Sequence, residues 1–238
     1  MIDLRGKTAF ITGGASGIGL GLAAVLGRRG VRVAIADIEE PRLDRACREL
    51  RDAGLDAEGF ALDVAKRASV EAAAQAALSR FGRVHIVCNN AGVAVQEPLG
   101  SIASPDWDWT FDVNFMGVVH GMETFMPILI AQGEGGWFIN TSPIAGLVKL
   151  PQFSAYAATK YAVVGASAVW REQLAPHRVG VSVFCPGAVK TAIFDSRRNQ
   201  QLEYGGDRGG GRRGGRPPIH RHRFGSTSRR RARHRGGM

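Results

Sequence analysis

Between Lys7 and Phe184 short apolar, β-branched runs alternate with longer stretches of helical periodicity, and few folds accommodate that alternation. The runs occupy residues 7–12, 31–36, 57–62, 84–88, 137–141 and 179–184; the helical patterns occupy 17–29, 41–53, 69–80, 106–131 and 154–175. A strand followed by a helix of about ten residues or more returns to its sheet parallel to its predecessor. Right-handed crossovers then put helices on both faces. The expected fold class is α/β: a doubly wound parallel sheet in three α/β/α layers, forming a single domain.

The first strand-to-helix turn carries the next constraint. Thr12-Gly13-Gly14-Ala15-Ser16-Gly17-Ile18-Gly19 sits where a strand ends and a helix begins. Glycine lets the backbone turn tightly and approach a pyrophosphate closely, and the helix N-terminus offers free N–H donors and positive partial charge. In that context the turn reads as a dinucleotide site, of the Rossmann-like kind. Gly13, Ser16, Gly17, Ile18 and Gly19 are its candidate residues. Asp37 ends the second strand about 20 residues on, where a carboxylate can accept hydrogen bonds from the adenosine ribose. It would repel a 2′-phosphate, so NAD is expected and NADP disfavoured. Asp63, with Val64, ends the third strand; it is read either as a partner for the adenine amino group or as an N-cap for the next helix.

Charge divides the chain. From Asn199 to Met238 eleven arginines face only Glu203 and Asp207, a net of +9, which leaves +1 for residues 1–198 out of the total of +10. Residues 205–238 are Gly, Arg, Pro and His with almost no apolar content, and are expected to be disordered. The expected organisation is therefore a dinucleotide-binding domain over 1–196, with its catalytic site built in, and a basic Gly/Arg-rich tail over 197–238. The tail reads as a GC-rich gene translated out of frame; the alternative is a genuine basic arm. Its Gly-Gly-Gly-Arg-Arg-Gly-Gly-Arg run is similar to RNA-binding segments, but only Tyr204 and Phe224 could stack on bases. Nucleic acid is expected as a partner only through non-specific attraction to the tail.

An apolar share of 45% suffices for one core of this size, and no run is read as long enough to cross a bilayer. Residues 1–6 carry Asp3 and Arg5 and no cleavage signal. Cys47, Cys88 and Cys185 are too few and too scattered for a disulfide framework or zinc site, so no metal is expected and a cytoplasmic location is the default.

Further motifs follow in order. After Thr12-Gly13-x-x-x-Gly17-x-Gly19 come Asn89-Asn90-Ala91-Gly92, Asn114 within Asp-Val-Asn-Phe-Met-Gly, Tyr156-x-x-x-Lys160 and Pro186-Gly187. This series, over about residues 5–195, resembles the short-chain dehydrogenase/reductase family. The resemblance implies hydride transfer between NAD(P) and an alcohol or carbonyl. It implies that Asn90, Ala91 and Gly92 line the adenosine side and that Pro186, Gly187 and Thr191 close over the nicotinamide end. It also implies that Lys160 hydrogen-bonds the nicotinamide ribose and that Asn114 anchors a water linking Lys160 to solvent. Family members are commonly dimers or tetramers, so a homodimer or homotetramer through helices 106–131 and 154–175 is expected. The aromatic and methionine side chains of the first of these helices are read mainly as core.

The chemistry at Tyr156 follows from its charge neighbourhood. Oxidising an alcohol needs a base for the hydroxyl proton. A phenol near its ordinary pKa of about 10 is too weak at neutral pH. Lys160 lies one helical turn on, so both side chains share a face, and its ammonium would favour phenolate, as would the positive nicotinamide of an oxidised complex.

The chain departs from the family at two places. The family's serine falls thirteen residues before the tyrosine, where this chain has Pro143, which offers neither hydroxyl nor N–H. Ser142, one place early, serves only if the backbone shifts; without it a polarising donor is lost, worth about 10²–10³ in rate. The substrate-covering helices and last strand expected after Pro186-Gly187 also have no counterpart in residues 197–238. A catalytically impaired scaffold is therefore the alternative to an active enzyme.

Overall fold

The computed structural model describes residues 3–96, 103–144, 148, 151–187, 189 and 191–206. Strands β1 (Thr8–Thr12), β2 (Arg32–Asp37), β3 (Ala57–Ala61), β4 (Ile86–Asn89), β5 (Gly136–Thr141) and β6 (Val179–Phe184) form one sheet in the order β3-β2-β1-β4-β5-β6. Every pairing is parallel. Helices α1 (Gly17–Gly27), α2 (Glu40–Asp52), α3 (Arg67–Phe81), α4 (Ser104–Phe111), α5 (Gly117–Gln132) and α6 (Ser154–Leu174) make the crossovers. The expected three-layer doubly wound fold is observed, with element ends displaced by at most two residues.

Burial explains why these segments are strands. Every residue of β1 is buried, as a central strand covered on both faces requires. Phe10, Ala34, Val87 and Phe138 face a core closed by α3, α5 and α6, while Ala9, Ile11, Val33 and Ile35 face a second core under α1 and α2. The strand order reverses between β1 and β4. In a sheet of this kind the crevice at that reversal, beyond the carboxyl ends of the strands, is the ligand site.

One expectation needs correcting. Helical residues Ser104–Gln132 have the length and a mean hydropathy, 1.3, that could cross a bilayer, contrary to the reading that no run does. Trp109, Met122, Phe125 and Leu129 from this stretch are instead buried in the core, which accounts for its apolar character. The continuous helix expected over 106–131 is also interrupted: Asp112–Met116 form a π-helical turn between α4 and α5.

The chain keeps contact with the body past residue 196. Two short 3₁₀ stretches, Ala192–Asn199 and Leu202–Tyr204, hold the chain against the body. Arg197 pairs with Asp106 through two contacts of 3.0 and 3.2 Å, and the Tyr204 hydroxyl donates to Asp112 at 2.6 Å. Polar anchoring of this sort leaves no apolar periodicity to read in a sequence. Residues 207–238, which make up nearly all of the expected disordered tail, lie outside the described residues.

At the opposite end of the sheet from the cleft, His85 Nδ1 accepts from the Thr8 N–H at 3.0 Å, and Nε2 faces Glu134 at 3.1 Å. The ring is therefore neutral with its proton on Nε2. Burial, followed by the charges of Lys7, Arg32 and Arg83, pushes its pKa down to about 4 from 6.5. The unfolded chain takes up a proton near the ordinary value while the folded chain refuses it. Stability from this group is complete above about pH 6.5 and is lost as pH falls toward 4. The urea midpoint should drop between pH 7 and pH 5 by the equivalent of roughly 1 kcal/mol, allowing for solvent screening. His85→Gln should flatten that slope, and an unchanged slope in the variant would exclude His85 as its source.

Candidate active site

A cleft of about 1070 Å³, its open mouth included, lies over the carboxyl ends of the strands. Its floor begins at the glycine turn. Thr12 ties that turn to β4, its hydroxyl accepting from the Asn90 and Ala91 N–H groups at 2.9 and 3.0 Å. Gly13 has φ +65°, and a Cβ there would sit 2.9 Å from the Ala91 Cα, so both conformation and close approach demand glycine. At Gly19 a Cβ would collide with the Gly13 carbonyl, so this residue serves the turn and does not line the cleft.

Ser16, Gly17 and Ile18 do line it. Ser16 is the extended N-cap of α1, makes no side-chain cap, and no acid lies in the first turn. The first N–H groups and the positive end of the helix are thus left for an anion. These residues fit the pyrophosphate of a dinucleotide.

The wall at the tips of β2 and β3 is equally defined. Asp37 accepts from the Ala15 N–H at 3.1 Å and from the Glu39 N–H at 3.0 Å, which aims its carboxylate along the cleft wall. Burial raises its pKa, and the two backbone donors oppose that rise. Asp63 lines the cleft with Val64. It accepts from the Ala65 N–H at 3.1 Å. It is not the cap of α3, whose N-cap is Lys66.

Across the reversal, Asn90, Ala91 and Gly92 line the cleft. The Asn90 side chain is a brace: it donates to the Thr12 carbonyl at 3.0 Å and accepts from the Thr141 hydroxyl at 3.3 Å. Asn89 points the other way, donating to Asn140 at 2.8 Å, which in turn donates to Ser167 at 3.0 Å. This buried chain of amides joins β4, β5 and α6. Its residue spacing carries no signal in the sequence.

Tyr156 and Lys160 reach the same cleft from the first turns of α6 and are both buried. The Lys160 ammonium lies 5.7 Å from the centre of the Tyr156 ring and donates to the Thr141 carbonyl at 3.3 Å. Burial pushes the Tyr156 phenol up to about 12 and the Lys160 ammonium down to about 8. Among the protein's own groups, burial is what governs the phenol. In this geometry desolvation governs both groups, and phenolate requires further positive charge in the cleft.

Asn114 sits on the π-helical turn. Its amide oxygen accepts from the Val93 N–H at 2.7 Å, and its amide nitrogen donates to the Val93 carbonyl at 2.9 Å and to Thr159 at 3.2 Å. Both amide N–H groups are occupied by protein, so the side chain clasps the strand β4 exit to α6.

Ser142 is also displaced from its expected task. It is fully buried, and its hydroxyl donates to the Lys160 carbonyl at 2.9 Å. Pro143 is the residue that lines the cleft there. No backbone shift brings Ser142 into use, because its hydroxyl closes the packing between β5 and α6. Pro186 and Thr191 line the far end, whereas Gly187 is exposed outside the lining.

The remaining wall was not anticipated. Ile193, Ser196, Arg198, Asn199 and Gln201 line the cleft from the chain that follows β6. Arg198 donates to Glu39 at 2.7 and 3.3 Å, and Asn199 donates to Glu39 at 2.9 Å. Burial alone would raise the Glu39 pKa, but Arg198 and Asn199 outweigh it and hold it low. Nothing in the alternation of strands and helices marks these residues. Among the described residues no cluster of His, Cys, Asp and Glu could hold a metal.

Fold and cleft define a Rossmann-type α/β protein. The short chain dehydrogenase model matches residues 7–202. A "CLA biosynthesis dehydrogenase/reductase" of Lactiplantibacillus plantarum is 34% identical over 206 residues, covering 86% of this chain and 72% of the relative. A D-threitol dehydrogenase of Mycolicibacterium smegmatis is 36% identical over 204 residues, covering 84% and 78%. The crystal structure of a short-chain dehydrogenase/reductase from Burkholderia phymatum in complex with NAD superposes with a TM-score of 0.84 at 38% identity, covering 90% of this chain and 76% of that one. The chain belongs to the short-chain dehydrogenase/reductase family and is an oxidoreductase acting on CH–OH groups. The family match reaches residue 202, past the boundary expected at 196.

Proposed function

We propose that this protein is an NAD-dependent dehydrogenase or reductase of an alcohol and its ketone, with Tyr156 passing the substrate proton. The observation that carries this reading is the burial of Tyr156 and Lys160 in one cleft with an uncapped α1 N-terminus and Asp37. The dinucleotide, when bound, supplies the hydride carrier and, in its oxidised form, a positive ring charge. The Tyr156 hydroxyl gives its proton to the forming alkoxide in reduction and takes it back in oxidation. Lys160 holds positive charge beside that hydroxyl and offers donors to a ribose. Asn114 and Ser142 position the elements that carry this pair. Cleft residues Gly13, Ser16, Gly17, Ile18, Asp63, Val64, Asn90, Ala91, Gly92, Pro186 and Thr191 hold the dinucleotide.

NAD is favoured over NADP by Asp37, whose charge would face a 2′-phosphate. Fluorescence titration should give NADH binding at least about tenfold tighter than NADPH, a difference of about 1.4 kcal/mol. Asp37→Ser should shrink that gap. Equal or tighter NADPH binding by the unaltered protein would reverse the assignment.

A second reading, an impaired catalyst, is favoured by Pro143 on the cleft wall and by the burial of the Ser142 hydroxyl. Self-association through the helices near 106–131 and 154–175 is supported by exposed Tyr161 and Val169 on α6. The unpaired thiols of Cys47, Cys88 and Cys185 agree with a reducing cytoplasm.

A further inference from the structure

We propose that Arg198 and Glu39 form a latch that closes the adenosine end of the cleft and holds Asp37 in place, which makes both of them positioning residues. This rests on the dinucleotide reading above and deepens it.

The chain after β6 runs from one end of the cleft to the other. Thr191 starts against the glycine turn, where its methyl group would lie 3.0 Å from a Cβ on Gly17. Ser196 then accepts from the Ala94 N–H at 3.2 Å, above the β4 exit. Arg198 and Asn199 end at Glu39, at the tip of β2. The segment is therefore a strap over the strand ends, fixed at the adenosine side by one carboxylate.

That carboxylate belongs to the turn that aims Asp37, because the Glu39 N–H donates to Asp37. Arg42 grips the same Glu39 side chain at 3.0 Å from α2. Arg198 is stiffened in turn by donating to the Ala192 and Asp195 carbonyls at 3.1 and 2.6 Å. Its guanidinium thus bridges the strap to the ribose-facing turn through a two-point carboxylate contact, the strong form of ion pair. The pair is only partly exposed, with side chains 24% and 19% accessible, so water screens it less than a surface pair. A dinucleotide lying between the glycine turn and Asp37 has the strap on its open side. Its departure then requires the Arg198–Glu39 contact to break.

The test is stopped-flow release of NADH from the full chain, chased with excess NAD. Arg198→Gln and Glu39→Gln should each speed release about five- to tenfold. The double variant should be no faster than either single one, since both remove the same contact. Arg198→Lys should recover part of the loss. Release from the unaltered protein should quicken with added salt, and release from Arg198→Gln should not. Arg51→Gln, which breaks the exposed Arg51–Glu58 pair away from the cleft, is the control and should leave release unchanged. The thermal midpoint, measured alongside, separates a latch from general loosening, which would lower the midpoint without removing the salt dependence. Release within about twofold of the unaltered protein in Arg198→Gln, or additive effects in the double variant, would overturn the latch while the dinucleotide reading stands. Failure of the unaltered protein to bind NADH would overturn both.

Discussion

Tyr156→Phe is expected to lower turnover about 10³-fold in both directions while NADH still binds. The substitution removes one oxygen and keeps the ring that packs against Phe153, so the fold should survive. The loss is large because the Ser142 hydroxyl does not stand in: it is turned into the protein and bonded to the Lys160 carbonyl. Burial that pushes the phenol up to about 12 keeps it protonated at neutral pH. Ketone reduction, which draws on the protonated form, should vary little from pH 6 to 8, and alcohol oxidation should climb with pH over the same range. Steady-state rates in both directions for the two proteins decide the matter. Turnover by Tyr156→Phe within about tenfold of the unaltered protein would remove Tyr156 from the mechanism.

Pro143→Ser should act in the opposite sense and raise turnover about 10²-fold. Pro143 lines the cleft beside Tyr156 and Lys160 and presents only ring carbons to a substrate oxygen. A serine hydroxyl there would donate to that oxygen as negative charge develops on it. The effect should fall on kcat, with little change in NADH affinity, because the donor is most useful in the transition state. Ser142→Ala, by contrast, should reduce stability, since it removes a buried bond to the Lys160 carbonyl. If Pro143→Ser leaves kcat unchanged, polarisation comes from elsewhere and the impaired reading loses its chief support.

Legibility in this chain follows the range of the interaction. The six strands were readable because a parallel strand covered on both faces needs an unbroken apolar run, as in β1. Gly13 was readable because its backbone conformation excludes other residues. The π-helical turn at Asp112–Met116 was not readable, since one extra residue per turn alters no hydrophobic period that a short segment can display. Nor was the opposed titration of Tyr156 and Lys160. Their spacing puts them on one face, but only the packing around that face sets how much water each group loses.

The positions of the strands along the chain, the glycine turn, the acid at the tip of β2 and the shared face of Tyr156 and Lys160 are local, so residue type and period alone determined them, whereas the order of the strands in the sheet came from their pairing. The burial of Ser142, the engagement of Asn114 with Val93, and the grip of Arg198 on Glu39, 159 positions away in the chain, belong to the tertiary structure. A hydroxyl, an amide or a guanidinium can pair with many partners of the right polarity. Which partner it takes is decided only when distant segments are brought within about 3 Å of one another.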